Sequence, residues 1–186
     1  GFKMVRLEGN KIIKDRPEIK LDFNAIAQGY TVDVLAAFLE SKGIKNYLVE
    51  IGGELKAKGD KVDMGWKVGI DRPEENDSGE RKLGAIIYLI DRAMATSGNY
   101  RKFYEEDGQK FSHIIDPRTG YPAKQNLLSA TVVAKHGITA DAYATAFMII
   151  GLEKSKQFLA NNKYLELEVF FIYDEKGNKY FFITGR

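Results

Sequence analysis

Two periodicities follow one another along the chain, an alternation typical of strands and a three-to-four-residue repeat typical of helices. Polarity alternates over residues 3–8, and Gly9-Asn10 offers a turn into residues 11–13, which predicts an edge hairpin. A short strand over 19–23 leads into a predicted helix that begins at about Asn24 and stops near Gly43. The apolar stripe of this helix is formed by Ala27, Thr31, Val34, Leu35, Phe38 and Leu39.

The remaining pattern predicts more strands and a second helical region. Residues 139–152 form the second principal helix, and Gly151 marks a break before a shorter helix over 153–160. We therefore expect a single α+β domain over residues 1–186, with a mixed, largely antiparallel sheet and two principal helices. The predicted strands lie at 47–51, 54–58, 66–70, 84–90, 110–115, 127–134, 166–173 and 179–184.

Composition removes several classes of function. The 28 basic and 26 acidic residues are scattered, so the charge pattern argues against nucleic-acid binding. No apolar run is long enough to cross a bilayer, and the start of the chain lacks the pattern of a signal peptide. The absence of cysteine excludes disulfides and thiolate chemistry but leaves the compartment open.

The segment 112–122, SHIIDPRTGYP, concentrates polar groups in a rigid loop. Pro117 restricts the backbone of Asp116, and Gly120 closes a tight turn. His113 falls at a strand end, where an imidazole can relay a proton at neutral pH. The alternative is a well-ordered turn in which Asp116 and Arg118 simply pair with each other.

Asp141 and Thr145 stand four residues apart in the second helix, so both side chains project from one face. A carboxylate and a hydroxyl in that arrangement suit a hard cation such as Mg²⁺. A cation near the positive end of a helix is more favourable beside a diphosphate that the helix amides also bind, which indicates a nucleotide-like ligand. The alternative is that Thr139 or Asp141 caps the helix and Thr145 bonds back to a carbonyl.

Three other segments offer room and polar groups for a ligand. Asp22 and Asn24 stand at the entry of the first helix, where small residues follow. Ser97 and Gly98 offer a hydroxyl and amides close to a ligand, although a Ser-Gly turn is the commoner use of these residues. Gly52-Gly53 permits close approach of a ligand, with a plain hairpin turn as the alternative.

Taken together and in order, these motifs resemble the ApbE-like flavin transferases, which are FAD:protein FMN transferases once described as thiamine-biosynthesis lipoproteins. The motifs that carry the resemblance are LDFNAIAQGYTVD at 21–33, EIGGE at 50–54, WKVGI at 66–70, ATSG at 95–98, SHIIDPRTG at 112–120 and TADAYATA at 139–146.

The resemblance implies a magnesium-dependent enzyme that splits FAD, releases AMP and attaches FMN through a phosphoester to a threonine or serine of an acceptor protein. Some relatives instead hydrolyse FAD to FMN and AMP, and a non-catalytic flavin or nucleotide carrier is a further alternative. By motif position, the resemblance places the metal ligands on Asp141, Thr145 and the backbone carbonyl of Ala25. It places His113 and Asp141 in catalysis. Its FAD contacts fall on Asp22, Gln28 and Ile114. Ser97 and Gly98 are further candidate FAD contacts, predicted from their residue types rather than from the resemblance.

Two departures from the family pattern qualify these expectations. Gln28 stands where many members carry lysine, which removes a positive charge beside the nucleotide. The strand and helical region that members usually carry before the first motif is absent from this sequence. The resemblance therefore implies the C-terminal catalytic part of a longer extracytoplasmic lipoprotein, held at the periplasmic face of the inner membrane by an anchor outside this segment. On its own, the segment is expected to bind FAD poorly.

Overall fold

The computed structural model describes residues 2–61, 64–72, 83–99, 103–106, 109–112, 114–123 and 126–184. The described helices are α1 (Ala27–Ser41), α2 (Gly137–Ile150) and α3 (Leu152–Asn161), with short 3-10 helices at Phe2–Met4 and Lys163–Leu165. The strands are β1 (Val5–Glu8), β2 (Lys11–Lys14), β3 (Tyr47–Ile51), β4 (Glu54–Lys58), β5 (Trp66–Asp71), β6 (Leu83–Leu89), β7 (Ala93–Gly98), β8 (Phe103–Glu106), β9 (Gln109–Ser112), β10 (Leu127–Ala134), β11 (Glu168–Glu175) and β12 (Asn178–Ile183).

A six-stranded sheet organises the chain. Its strands lie in the order β12-β11-β10-β7-β4-β3, and each neighbouring pair is antiparallel. The hairpins β1-β2, β5-β6 and β8-β9 form separate two-stranded antiparallel sheets. The α+β class and the largely antiparallel sheet are confirmed, and every pairing among the described strands is antiparallel.

The sheet is covered on both faces. On one face, α2 and α3 pack over a core that includes Val132, Phe147 and Phe171. On the other, the β5-β6 hairpin covers a second core that includes Val133 and Ile172. Successive residues of a strand point to opposite faces, so a central strand covered on both sides is apolar throughout. This explains the nearly continuous apolar sequence of β10.

Helix α1 packs through small residues rather than through its predicted stripe. Its buried residues are Gly29, Val32 and Ala36. Val34 and Phe38 of the predicted stripe are 46% and 55% exposed, so that prediction of the buried face was wrong. Small side chains let the axis of α1 approach α2 closely, and this gain decides the orientation of a helix with apolar residues on several sides.

The entry to α1 also differs from the prediction. Residues 19–23 form no strand, and the helix begins at Ala27 rather than near Asn24. The Asp22 Oδ1 accepts a hydrogen bond from the Asn24 amide at 2.8 Å, and the Ile26 and Ala27 amides both donate to the Phe23 carbonyl. A side chain that bonds its own backbone in this way favours a turn over a strand.

The second helical region matches its prediction closely. Gly151 separates α2 from α3 at φ +80°, a left-handed conformation that glycine adopts without strain. α2 starts two residues before the predicted Thr139, at Gly137. Within the described residues, no helix is long and apolar enough to span a membrane.

Candidate active site

The N-terminal ends of α1 and α2 meet through two glycines. A Cβ added to Gly29 would lie 2.6 Å from the carbonyl carbon of Gly137 and closer still to its oxygen. A Cβ added to Gly137 would lie 2.6 Å from Val32 Cγ2. The backbones therefore touch at a distance that no larger residue permits.

Each helix caps the start of the other with a carboxylate. Asp141 of α2 accepts a hydrogen bond through Oδ2 from the Gly29 amide of α1, at 2.9 Å in a buried position. Asp33 of α1 accepts from the amides of Gly137 and Ile138, at 2.8 and 3.0 Å. The first amides of a helix have no partner within it and carry partial positive charge, so both bonds are electrostatically favourable.

The bond to Asp141 leaves free a carbonyl in the turn that leads into α1. The amides of Ala27 and Tyr30 donate to carbonyls four residues earlier, on Phe23 and Ile26. By the same rule the Gly29 amide would donate to the Ala25 carbonyl, but it donates to Asp141 instead. Within the described part of the chain the Ala25 carbonyl accepts no backbone hydrogen bond, so its oxygen is available beside the Asp141 carboxylate.

Thr145 lies one helical turn beyond Asp141 and contacts the sheet. Its Oγ1 is 2.9 Å from Ser97 Oγ on β7, so these two hydroxyls share a hydrogen bond. Both can donate and accept, so the pair fixes the rotamer of Thr145 while a lone pair remains for another partner. The Ser-Gly turn considered as an alternative for Ser97 and Gly98 is wrong, because both residues belong to the strand β7.

Burial dominates the electrostatics of Asp141. Its exposed fraction is 4%, and this burial raises the pKa of its carboxyl, while the hydrogen bond from Gly29 acts in the opposite direction. Within the described residues the carboxylate accepts that one hydrogen bond, so Oδ1 is an open acceptor. A buried carboxylate with an open oxygen is stabilised by a bound cation.

The capping alternative for the second helix is wrong. Asp33 satisfies the first two amides of α2, and neither Thr139 nor Asp141 caps that helix. The structure likewise bonds the Thr145 hydroxyl to Ser97 rather than to a helix carbonyl. The amides of Gly137 and Ile138 donate to Asp33, so these two amides of α2 are not available to a diphosphate.

Other predicted ligand contacts lie around this junction. Asp22 is exposed and forms the turn before α1. The side chain of Gln28 lies against the β3-β4 turn, where a Cβ on Gly52 would overlap Gln28 Nε2. Gly98 pairs with Ser129 of β10. Gly52-Gly53 forms the hairpin turn between β3 and β4, which confirms the alternative given for these two glycines.

The loop after β9 has the local ion pair that its sequence allowed. Arg118 donates to both carboxylate oxygens of Asp116, with Nη2 to Oδ2 at 2.6 Å, and this pairing lowers the pKa of Asp116 to about 2. The turn closes where Ile115 bridges Pro122. Ile114 is 8% exposed and its side chain belongs to the core under α2. His113 lies outside the described residues, so its catalytic role stays a prediction.

Asp33 is the residue of this site that the sequence reasoning missed. Asp33 is the last residue of the motif at 21–33, and no role was predicted for it because a single acid in a helix usually faces solvent. A usable signal was present, since Asp33 stands beside Val32 and one turn after Gly29, on the face that approaches another backbone. An acid on a face of small residues indicates a specific partner.

Sequence comparison with known proteins finds one family and its flavin-transferring members. A sequence model of the ApbE family matches residues 1–171. The chain is 44% identical over 155 residues to the FAD:protein FMN transferase of Vibrio cholerae, covering 83% of this chain and 46% of that protein. It is 39% identical over 167 residues to the FAD:protein FMN transferase of Haemophilus influenzae, covering 87% of this chain and 48% of that protein.

Solved structures show the same likeness. The flavin transferase ApbE from Vibrio cholerae superposes with a TM-score of 0.85 at 38% identity, covering 99% of this chain and 57% of that one. The apo flavinyl transferase ApbE from Pseudomonas stutzeri gives a TM-score of 0.82 at 35% identity, covering 99% and 55%. The chain spans about half the length of the curated relatives it matches. With the family match over residues 1–171, these findings show that the chain belongs to the ApbE family.

Proposed function

We propose that this chain carries the catalytic site of a magnesium-dependent FAD:protein FMN transferase. The observation that carries the proposal is the junction of α1 and α2, where a freed carbonyl on Ala25, a buried carboxylate on Asp141 and a hydroxyl on Thr145 come together. The printed names of the relatives supply the reaction.

The donor set fits Mg²⁺. Magnesium prefers hard oxygen ligands and keeps several water or phosphate oxygens in its shell, so a few protein oxygens suffice. The Asp141 Oδ1, the Thr145 hydroxyl and the Ala25 carbonyl are of this kind. No three His, Cys, Asp or Glu side chains converge anywhere in the described ranges. In this proposal the FAD diphosphate supplies the remaining oxygen ligands.

The proposed reaction exchanges one phosphorus–oxygen bond for another. A threonine or serine hydroxyl of the acceptor protein attacks the phosphorus on the FMN side of the FAD diphosphate. The bond from that phosphorus to the bridging oxygen breaks, and AMP leaves with the bridging oxygen and both electrons of that bond. The hydroxyl proton passes to a base, the role that the family resemblance gives to His113. When bound, Mg²⁺ neutralises charge on the diphosphate.

The residues of this chain then have separate tasks. Asp141 and Thr145 hold the cation on one helical face, and Ser97 orients the Thr145 hydroxyl through their mutual hydrogen bond. Asp22 and Gln28 are both exposed, and the proposal assigns them contacts with FAD. Gln28 carries no charge, so its contact with the nucleotide is a hydrogen bond rather than an ion pair.

Release of AMP from FAD is the direct test. The chain is incubated with FAD, with and without Mg²⁺ and with and without a threonine-containing acceptor protein, and the Vibrio cholerae relative serves as the positive control. AMP release that needs both metal and acceptor, together with an acceptor mass increased by one FMN, is the expected result. Release without acceptor would identify FAD hydrolysis, and binding of FAD without any release would identify a carrier.

We also propose an extracytoplasmic location on the periplasmic face of the inner membrane, supported by the family resemblance. Fractionation of cells that express the natural gene tests this. Recovery of the protein in the cytosolic fraction would refute it.

A further inference from the structure

We propose that Asp33 is a positioning residue for the reaction, because its carboxylate fixes the start of the helix that presents Asp141 and Thr145. This inference rests on the proposed function above. Asp33 itself contributes no ligand to the site and acts through α2. The proposal extends the site from residues that contact substrate or metal to one that aligns them.

The contacts of Asp33 are directional. Its two carboxylate oxygens bind two successive amides, with Oδ1 accepting from Gly137 at 2.8 Å and Oδ2 from Ile138 at 3.0 Å. Two bonds from one rigid planar group fix both the position and the rotation of the first turn of α2. A rotation of that turn would swing Asp141, which lies one turn further along the same helix.

A second contact holds the segment that leads into α2. The Lys56 ammonium of β4 donates to the Lys135 carbonyl, just before the helix starts. Lys56 is partly buried, which lowers the pKa of its ammonium, and the charge of Asp33 acts in the opposite direction. Glu40 and Asp91 also favour the charged Lys56, and Lys58 opposes it. The lysine and Asp33 therefore both bind the segment in which α2 begins.

The coupling between Asp33 and the site runs through the reciprocal caps. Asp33 binds the start of α2, and Asp141 binds the Gly29 amide of α1, four residues before Asp33. The two bonds join the same two helices at one junction, so loosening one allows the helices to separate at the other. Separation would return the Gly29 amide to the Ala25 carbonyl and would remove that oxygen from the site.

The test compares Asp33→Asn with Glu40→Gln. Asp33→Asn keeps the size of the side chain but leaves a single acceptor oxygen for two amides. Glu40→Gln makes the same change of charge on the same helix, at a residue that pairs with Lys58 and Tyr47 instead of α2. Asp33→Ala, which removes both acceptors, adds a stronger variant, and Asp33→Asn keeps the test decisive where the alanine variant does not fold.

The first readout is independent of activity. Amide hydrogen exchange is measured by NMR at Gly29, with Val132 in the central strand as the reference for global unfolding. In Asp33→Asn, exchange at Gly29 is expected to accelerate about tenfold more than exchange at Val132. The factor is about tenfold because the variant loses one charge-assisted hydrogen bond at the junction. Glu40→Gln is expected to change neither. Equal acceleration at both amides, or none at Gly29, would refute the coupling.

The second readout is the Mg²⁺ dependence of AMP release. In Asp33→Asn the half-saturating Mg²⁺ concentration is expected to rise about tenfold while the KM for FAD changes little, since the alignment of the metal ligands is disturbed. An unchanged Mg²⁺ dependence with a lower kcat in proportion to the folded fraction would show a merely structural residue. If the unmodified chain releases no AMP even at saturating FAD, the proposed function fails, and the Gly29 comparison still decides whether Asp33 aligns the junction.

Discussion

Replacing Gly29 with alanine tests the close approach of α1 and α2 most directly. The added Cβ would lie 2.6 Å from Asp141 Cβ and 2.6 Å from the Gly137 carbonyl carbon. Carbon atoms in contact normally sit about 3.5–4.0 Å apart, so the helices would have to separate by about 1 Å. The neighbours include backbone atoms, which a change of rotamer cannot move.

The opposing effects have different sizes. Alanine favours the helix over glycine by about 1 kcal/mol. Overpacking a tight contact costs about 1–3 kcal/mol. Loss of the bond between the Gly29 amide and the Asp141 carboxylate adds about 1.5–3 kcal/mol. The net destabilisation is therefore roughly 1.5–5 kcal/mol, which lowers the Tm of a chain of this length by roughly 3–20 °C.

Thermal and urea unfolding measure this effect, and two variants calibrate it. Gly84→Ala adds the same methyl group where the nearest atoms lie at 3.6 Å, so its stability is expected to stay within about 0.5 kcal/mol. Ala37→Gly on the exposed side of α1 measures helix propensity alone, with an expected loss of about 1 kcal/mol. A Gly29→Ala chain as stable as the unmodified one would show that the two backbones do not touch, and the geometry of the site would be refuted.

Three further predictions concern the side chains of the site and its neighbouring loop. Asp141→Asn is expected to reduce Mg²⁺-dependent AMP release by about a hundredfold or more. It should leave the metal-free Tm unchanged or raised, since an amide replaces a buried carboxylate; a large fall in Tm would contradict this. Thr145→Val leaves Ser97 Oγ unpaired, so urea unfolding should show a loss of about 1 kcal/mol in stability. The same variant should need more Mg²⁺ for half-maximal AMP release, and Ser97→Ala should raise that concentration less. Arg118 lowers the pKa of Asp116 from 3.8 to about 2, so this pair stabilises the fold above pH 3.8 and loses that effect as the pH falls toward 2. Arg118→Gln should therefore flatten the stability profile over that range, and an unchanged acid profile would refute the pairing.

The candidate site was partly readable from local spacing. Asp141 and Thr145 are one helical turn apart, so a helical pattern alone places them on one face. Their partners were not readable, because Asp141 bonds a residue 112 positions away and Asp33 bonds one 104 positions away. The freed carbonyl of Ala25 follows from the first of these bonds, and the resemblance had named it without a physical reason.

The buried face of α1 shows why a pattern of large apolar residues misleads. Val34, Leu35 and Phe38 predicted the core side, whereas the structure buries Gly29, Val32 and Ala36. Hydrophobic periodicity ranks residues by the area they can bury, and it does not register the gain from bringing two backbones into contact. The entry of the helix was misjudged for a similar reason, since the side chain of Asp22 competes with the regular backbone pattern.

The sequence by itself determined the two principal helices, the edge hairpin, the break at Gly151 and the antiparallel α+β class, because strand alternation, helix repeats and turn residues act between near neighbours in the chain. It did not predict the strands β7 and β8. The tertiary structure alone decided which face of α1 is buried and that Asp33 and Asp141 cap each other's helices. It also decided that the Ala25 carbonyl accepts no backbone hydrogen bond from the residues the structure describes. These features depend on the fit of two backbones at Gly29 and Gly137, a contact between distant segments that leaves no periodic trace in either of them.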